Sequence, residues 1–195
     1  HLLEAHLNKK FNYSGFDYSD EVVQQLKELD STIKVFHGDI NVINLKEDFE
    51  IIIILGGLHH VPHIAKQSVA RLSSALKPGG LFVNLEPTSG NPIFTWVRDR
   101  IYKKNDLFDA KTERAFSVNE LYSFFEASGL RKVDAVYPGL LAYIMYYNPD
   151  AFPFLNIGGK RMVNTAFTLD RLFLRNIIGK ALSFATLSLW QKPLN

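Results

Sequence analysis

No cysteine occurs anywhere in the 195 residues. That absence excludes thiol nucleophiles, disulfides and cysteine-ligated zinc, and it agrees with a reducing compartment, so the expected location is cytoplasmic. No apolar run reaches the length of a membrane span, and nothing resembles a signal peptide. A strong charge of either sign is lacking too: 22 Lys and Arg against 20 Asp and Glu leave a net charge of +2. Neither internal repeats nor low-complexity stretches occur. What remains is a chain that is 47% apolar, enough for one compact domain with a real core.

The distribution of charge says more than its sum. Up to Asp150, acids outnumber Lys and Arg by 19 to 16. Beyond it, Lys160, Arg161, Arg171, Arg175, Lys180 and Lys192 face only Asp170. A basic, aromatic-rich C-terminal quarter suits an anionic substrate or a membrane surface, and equally an ordinary solvated helix face.

Short β-type runs alternate with helical stretches. Phe11 to Phe16 ends at Asp17 and precedes a helix with Asp20 as its cap and Val22, Val23, Leu26 and Leu29 on one face. Ile33 to Phe36 is a short strand leading into His37-Gly38-Asp39. Ile51 to Leu55 is a continuous β-branched run, the pattern of a strand covered on both faces of a parallel sheet. A helix from about Ile64 to Leu76 stops at Lys77-Pro78-Gly79-Gly80, and Leu81 to Leu85 is the next strand. Ser117 begins a helix, with Glu120 completing a capping box, and Gly129 ends it. Val133 to Tyr137 and Ala185 to Trp190 are the last two strands. This alternation predicts an α/β, doubly wound, mostly parallel sheet. Between the last two strands lies an insertion, roughly Pro138 to Lys180, in which Met162, Ala166, Leu169, Phe173 and Ile177 share one helical face. That face suits packing on the sheet, a lid over an apolar ligand, or an interfacial helix.

Four segments, in order, resemble the class I S-adenosylmethionine-dependent methyltransferases: Gly15-Phe16-Asp17-Tyr18-Ser19, Gly38-Asp39-Ile40, Ile54 to Val61 (Ile-Leu-Gly-Gly-Leu-His-His-Val), and Leu76 to Val83 around Pro78-Gly79-Gly80. The resemblance implies a Rossmann-like methyltransferase sheet with an antiparallel last strand. It also implies that Asp17, with Tyr18 beside it, receives the ribose hydroxyls of S-adenosylmethionine. Asp39 and Ile40 would meet the adenine, and Gly56 and Gly57 would let cofactor and acceptor approach the backbone. All four segments fall at the carboxyl ends of expected parallel strands, where open α/β sheets bind ligands. The family's first strand and glycine-rich loop have no match here. Residues before Phe11 fit only the helix that follows that loop, so the sequence from His1 is expected to be an N-terminally incomplete single domain, preceded in the parent protein by several tens of residues.

Methyl transfer from a sulfonium needs mainly the alignment of donor and acceptor, with a general base only if the acceptor loses a proton. His59 and His60 are the candidates for that base, since an imidazole titrates in the right range. One of the two also suits a purely structural hydrogen bond. Glu86, Asn91, Trp96 and Tyr143 are the candidates for the acceptor side, with Tyr146 and Tyr147 nearby in the insertion. No metal is expected: His59, His60 and His63 lack carboxylate or cysteine support at ligand spacing. A nucleic-acid substrate is not expected either, because Gly-Gly-Leu-His-His stands where such enzymes carry an Asn-Pro-Pro-Tyr-type motif. The reading is a methyltransferase for a small, apolar or lipid-like acceptor, with peripheral membrane contact through the insertion. The rival is a non-catalytic module of the same fold that acts at a lipid surface or on a protein partner.

Overall fold

The computed structural model describes residues 11–45, 49–90, 95–96, 100, 114–147 and 156–194. Two compact units emerge, His1–Asn44 and Leu45–Asn195.

In the N-terminal unit, strand β1 (Ser14–Asp17) leads through helix α1 (Asp20–Leu29) to strand β2 (Lys34–His37). The two strands pair in parallel, with Asp17 opposite His37. The helix is capped by Ser19, not Asp20: the Ser19 hydroxyl accepts from the Val22 amide at 3.3 Å, and Asp20 sits one residue inside, in the first turn. A hydroxyl directly before the first helical residue meets the orphan amides best, while a carboxylate in the first turn acts through the dipole. Of the four residues expected to share the apolar face, only Val23 is buried, and Leu29 is 83% exposed.

In the C-terminal unit, β3 (Phe49–Leu55), β4 (Leu76–Pro87), β5 (Arg131–Val136) and β6 (Ala185–Gln191) form one sheet in the order β3-β4-β6-β5. β3 and β4 are parallel, while β6 lies antiparallel to both β4 and β5. The last strand therefore turns back into the sheet, as expected. β4 begins earlier than the sequence suggested, because helix α2 (Ala65–Ser74) ends before Pro78 and the Lys77–Gly80 stretch joins the strand, with Gly79 at φ 77°. The Lys192 ammonium closes that helix end by donating to the carbonyls of Ser73, Ser74 and Leu76. Helix α3 (Val118–Ala127) buries Leu121, Tyr122, Phe124 and Phe125. Phe125 stacks on Trp190 at 4.9 Å between centroids and takes Phe82 edge-on at 5.2 Å. These three rings, each fully buried, form the centre of the core.

Two sequence expectations fail here. The Ile51–Leu55 run is not covered on both faces: Ile52 is buried, but Ile51, Ile53 and Leu55 are 37%, 48% and 66% exposed. Among the described residues β3 pairs on one edge only, with β4. The insertion also does not present one buried helical face. It comprises a π-helical turn (Tyr143–Tyr147), helix α4 (Lys160–Asp170), a turn over 171–176 and the short helix α5 (Ile177–Leu182). Ala166 is buried, whereas Met162, Leu169, Phe173 and Ile177 are exposed. The break after Asp170 takes Phe173 and Ile177 off the helical register on which the expectation rested.

Candidate functional site at the strand tips

In the N-terminal unit the two expected cofactor carboxylates sit at the carboxyl end of β1 and just past that of its neighbour β2. The Gly38 amide donates to the Asp17 carbonyl at 2.9 Å, which ties the end of β1 to the segment that follows β2. Asp17 Oδ1 accepts from the Ser19 amide at 2.8 Å, and Asp39 Oδ1 accepts from the Asn41 amide and side chain at 2.8 and 2.6 Å. Each carboxylate is thus fixed by one oxygen through its own turn. Tyr18 is 73% exposed, and Ile40 is half-buried next to Asp39.

In the C-terminal unit the chain leaves β3 at Gly56, whose φ of 67° is a left-handed conformation that favours glycine. Its amide still donates to the Leu85 carbonyl at 2.7 Å, extending the β3–β4 ladder by one step. A single 3₁₀ turn, Leu58–His60, follows immediately. The first amides of any helical turn lack partners within it. Here one side chain satisfies them, and it comes from the neighbouring strand. Glu86, wholly buried at the end of β4, accepts from the amides of Gly57 and Leu58 on Oε1 at 3.0 and 2.9 Å. Its Oε2 accepts from the His59 amide at 3.2 Å and lies 2.9 Å from His59 Nδ1. The Asn84 side-chain amide adds a weaker contact at 3.4 Å. Asn84 Oδ1, also buried, accepts nothing among the described residues.

The arrangement fixes a tautomer. Both Glu86 oxygens are met by backbone N–H groups, which can only donate, so the carboxylate stands as an acceptor throughout. Nδ1 of His59 must then carry a proton to make its hydrogen bond, which leaves Nε2 as the nitrogen with the lone pair. The His59 side chain is 16% exposed, so the ring is reachable from solvent. His60 packs beside it with ring centroids 4.0 Å apart, and the His59 carbonyl accepts from the Arg114 amide at 3.1 Å. Arg114 is in turn clamped by both oxygens of Glu120, whose hydrogen bonds hold that carboxyl below its ordinary range.

Of the residues expected on the acceptor side, Glu86 instead organises the His59 turn. Its carboxylate is fully used and wholly buried, so it is not an acceptor contact. Trp96 is 59% exposed, with the Arg100 guanidinium over its ring at 5.2 Å. Tyr143 is half-buried in the π-helical turn, and Asn91 lies outside the described residues. Sequence reasoning missed the Glu86–His59 pairing. The signal available was a carboxylate closing an apolar strand in a sheet whose next strand ends in Gly-Gly.

A family model described as a methyltransferase domain matches residues 1–80, which contain Asp17, Asp39 and the Gly56–His60 turn. No curated protein matches the chain. Solved structures do, at low identity. An S-adenosylmethionine-dependent methyltransferase from Mesorhizobium loti superposes with a TM-score of 0.59 at 16% identity, over 97% of this chain and 84% of that one. The cyclopropane synthase MmaA2 from Mycobacterium tuberculosis gives 0.63 at 12% identity, over 98% and 73%. The [4+2]-cyclase SpnF gives 0.62 at 13%, over 100% and 71%. The methyltransferase family model covers the first 80 residues, and the superposed structures share the fold: the chain has the fold of S-adenosylmethionine-dependent methyltransferases.

The two carboxylates of the N-terminal unit suit a nucleoside. Asp17 Oδ2 and Asp39 Oδ2 carry no hydrogen bond among the described residues. An acceptor pair of this kind suits the hydroxyls of a ribose and the amino group of an adenine.

Proposed function

We propose that the chain transfers a methyl group to an oxygen or nitrogen of a small, apolar or lipid-like acceptor, with His59 as the general base. The observation that carries this reading is the five-donor grip on Glu86, which in the neutral imidazole of His59 puts the lone pair on Nε2. Bound S-adenosylmethionine supplies a methyl group on a positively charged sulfur, already a good leaving group. Within the N-terminal unit, Asp17 and Asp39 would hold a nucleoside by its ribose and adenine. Within the C-terminal unit, Gly56 and Gly57 leave the backbone bare at the end of β3, and His59 Nε2 would take the proton that an O–H or N–H acceptor must release. Glu86 stabilises the imidazolium that forms, as a buried carboxylate does for any histidine base. The exposed apolar residues of the insertion support an apolar acceptor.

The test is methyl transfer from labelled S-adenosylmethionine to a panel of long-chain alcohols, amines and phenols. Turnover of at least one apolar member is expected, with His59→Asn slowing it by roughly 10²–10⁴-fold at unchanged cofactor affinity. Equal rates for wild type and His59→Asn would remove His59 from the chemistry.

A further inference from the structure

The surface formed by α4, the 171–176 turn and α5 is unusual in being apolar, cationic and rigid at once. Leu172 is 67% exposed, Ile177 80%, Phe167 53% and Ile178 48%, all within twelve residues of chain. A water-soluble domain seldom leaves so many large apolar side chains together in solvent without a use for them.

The charges on this surface are unequal in their commitments. Arg175 is paired with Asp134, the Lys180 ammonium donates to Asn119 and lies over the Tyr122 ring, and Lys192 caps α2. Lys160, Arg161 and Arg171 are exposed and have no acidic partner among the described residues. The segment's one acid, Asp170, is buried, and its carboxylate accepts from the amides of Leu141 and Ala142 at 3.1 and 2.7 Å. Uncompensated positive charge therefore lies in the same stretch of chain as the exposed apolar side chains.

The platform is also anchored at several points. Asp170 fixes the end of α4, and the Tyr137 amide donates to the Leu174 carbonyl at 2.8 Å to fix the turn. α5 is seated so tightly that a Cβ on Gly179 would overlap the Phe173 carbonyl oxygen. The apolar residues are thus held outward by buried polar bonds at their base.

From these features the structure assigns this face to docking on an anionic lipid surface, with Leu172, Phe167, Ile177 and Ile178 entering the headgroup boundary and Lys160, Arg161 and Arg171 meeting lipid phosphates. Apolar insertion combined with local cations is what peripheral binding requires, since either signal alone is weak. The assignment goes beyond the methyl-transfer reading and does not depend on the identity of the acceptor.

Co-sedimentation of the chain, without cofactor, with phosphatidylglycerol vesicles and with phosphatidylcholine vesicles tests it. Binding to the anionic vesicles at low salt is expected, and it should weaken sharply as ionic strength rises. Arg161→Glu/Arg171→Glu should lower the vesicle affinity by at least about twentyfold, given the usual worth of a cation near such a surface. Leu172→Asp/Ile177→Asp should abolish it. All four positions are exposed, so the variants keep the fold, which thermal melting checks. Failure to bind anionic vesicles at low salt would overturn the assignment, as would binding indifferent to both variants. A chain that is dimeric by light scattering, becomes monomeric on Leu172→Asp/Ile177→Asp and ignores vesicles would give the face to a second copy instead. Because no methyl donor or acceptor is present, none of these outcomes bears on the Glu86–His59 chemistry.

Discussion

Replacing Glu86 by Gln changes one oxygen for an amide nitrogen and almost nothing in volume, so its consequences follow from hydrogen-bond polarity alone. Oε1 serves the Gly57 and Leu58 amides, and Oε2 serves the His59 amide and ring. If the remaining carbonyl stays with Gly57 and Leu58, the new NH₂ faces two donors. The imidazole can answer by moving its proton from Nδ1 to Nε2, but the His59 backbone N–H cannot change sense. One substantially buried donor is left against another, which costs roughly 1–3 kcal/mol of folding free energy. The shift of the ring proton also removes the lone pair from Nε2. Long-range ¹⁵N–¹H NMR of the imidazole reads the tautomer directly, and urea unfolding reads the stability. Wild type should carry its proton on Nδ1, and Glu86→Gln should carry it on Nε2 and unfold at lower urea. A wild-type ring protonated on Nε2, or a variant with unchanged tautomer and midpoint, would refute the reasoning.

Further outcomes are expected. Asp17→Ala should weaken S-adenosylmethionine binding by roughly 1.5–3 kcal/mol in isothermal titration, the usual worth of hydrogen bonds to a charged group, and an unchanged affinity would remove Asp17 from the ribose. Gly139→Ala should destabilise the fold by about 3 kcal/mol or more, because its Cβ would overlap the backbone nitrogens of Phe184 and Ala185; a melting curve like that of wild type would contradict this packing. Trp190→Ala should cost roughly 3–5 kcal/mol through loss of the stacked Phe125 contact and the void it leaves. The Arg114–Glu120 pair lowers the folded-state pKa of Glu120 relative to the unfolded chain. Its stabilisation is therefore present above the ordinary glutamate range and lost as pH falls through the lower folded value. Both side chains are partly exposed, so a difference of under about 1 kcal/mol between wild type and Arg114→Ala is expected near neutral pH. That difference should shrink in acid, and a gap that widened there would reverse the sign.

Features that depend on neighbours in the chain were legible before the fold was known. Asp17 and Asp39 follow short apolar runs, and a carboxylate there can only fall at a strand tip once the run is a strand. Ser117 caps α3 as its spacing implied, and its hydroxyl accepts from the Glu120 amide at 3.1 Å. The other half of the capping box does not form, because the Glu120 carboxylate turns to Arg114, a partner no local rule supplies. Glu86 was misplaced for the same reason: its partners are 27 to 29 residues away and meet it only because β3 and β4 pair in parallel register. The burial of Ile51–Leu55 was overestimated because β-branched composition reports what a strand can bury, not whether a neighbour is present. On α4, periodicity grouped Met162, Ala166 and Leu169 on one face, yet of the three only Ala166 is buried, with Asp170 buried at the helix end.

The exposed side of β3 has a practical consequence for anyone who handles this chain. Four successive isoleucines and a leucine lie in a strand that, among the described residues, pairs on one edge only, with every second side chain exposed. Native sheets protect such edges with charge, proline or a bulge, and the Ile51–Leu55 stretch has none of the first two. At high concentration this edge is a template for strand addition between copies, and the stretch has the composition that favours ordered aggregates. A single lysine at Ile53, which projects outward and is 48% exposed, should act as a gatekeeper and keep the chain in solution.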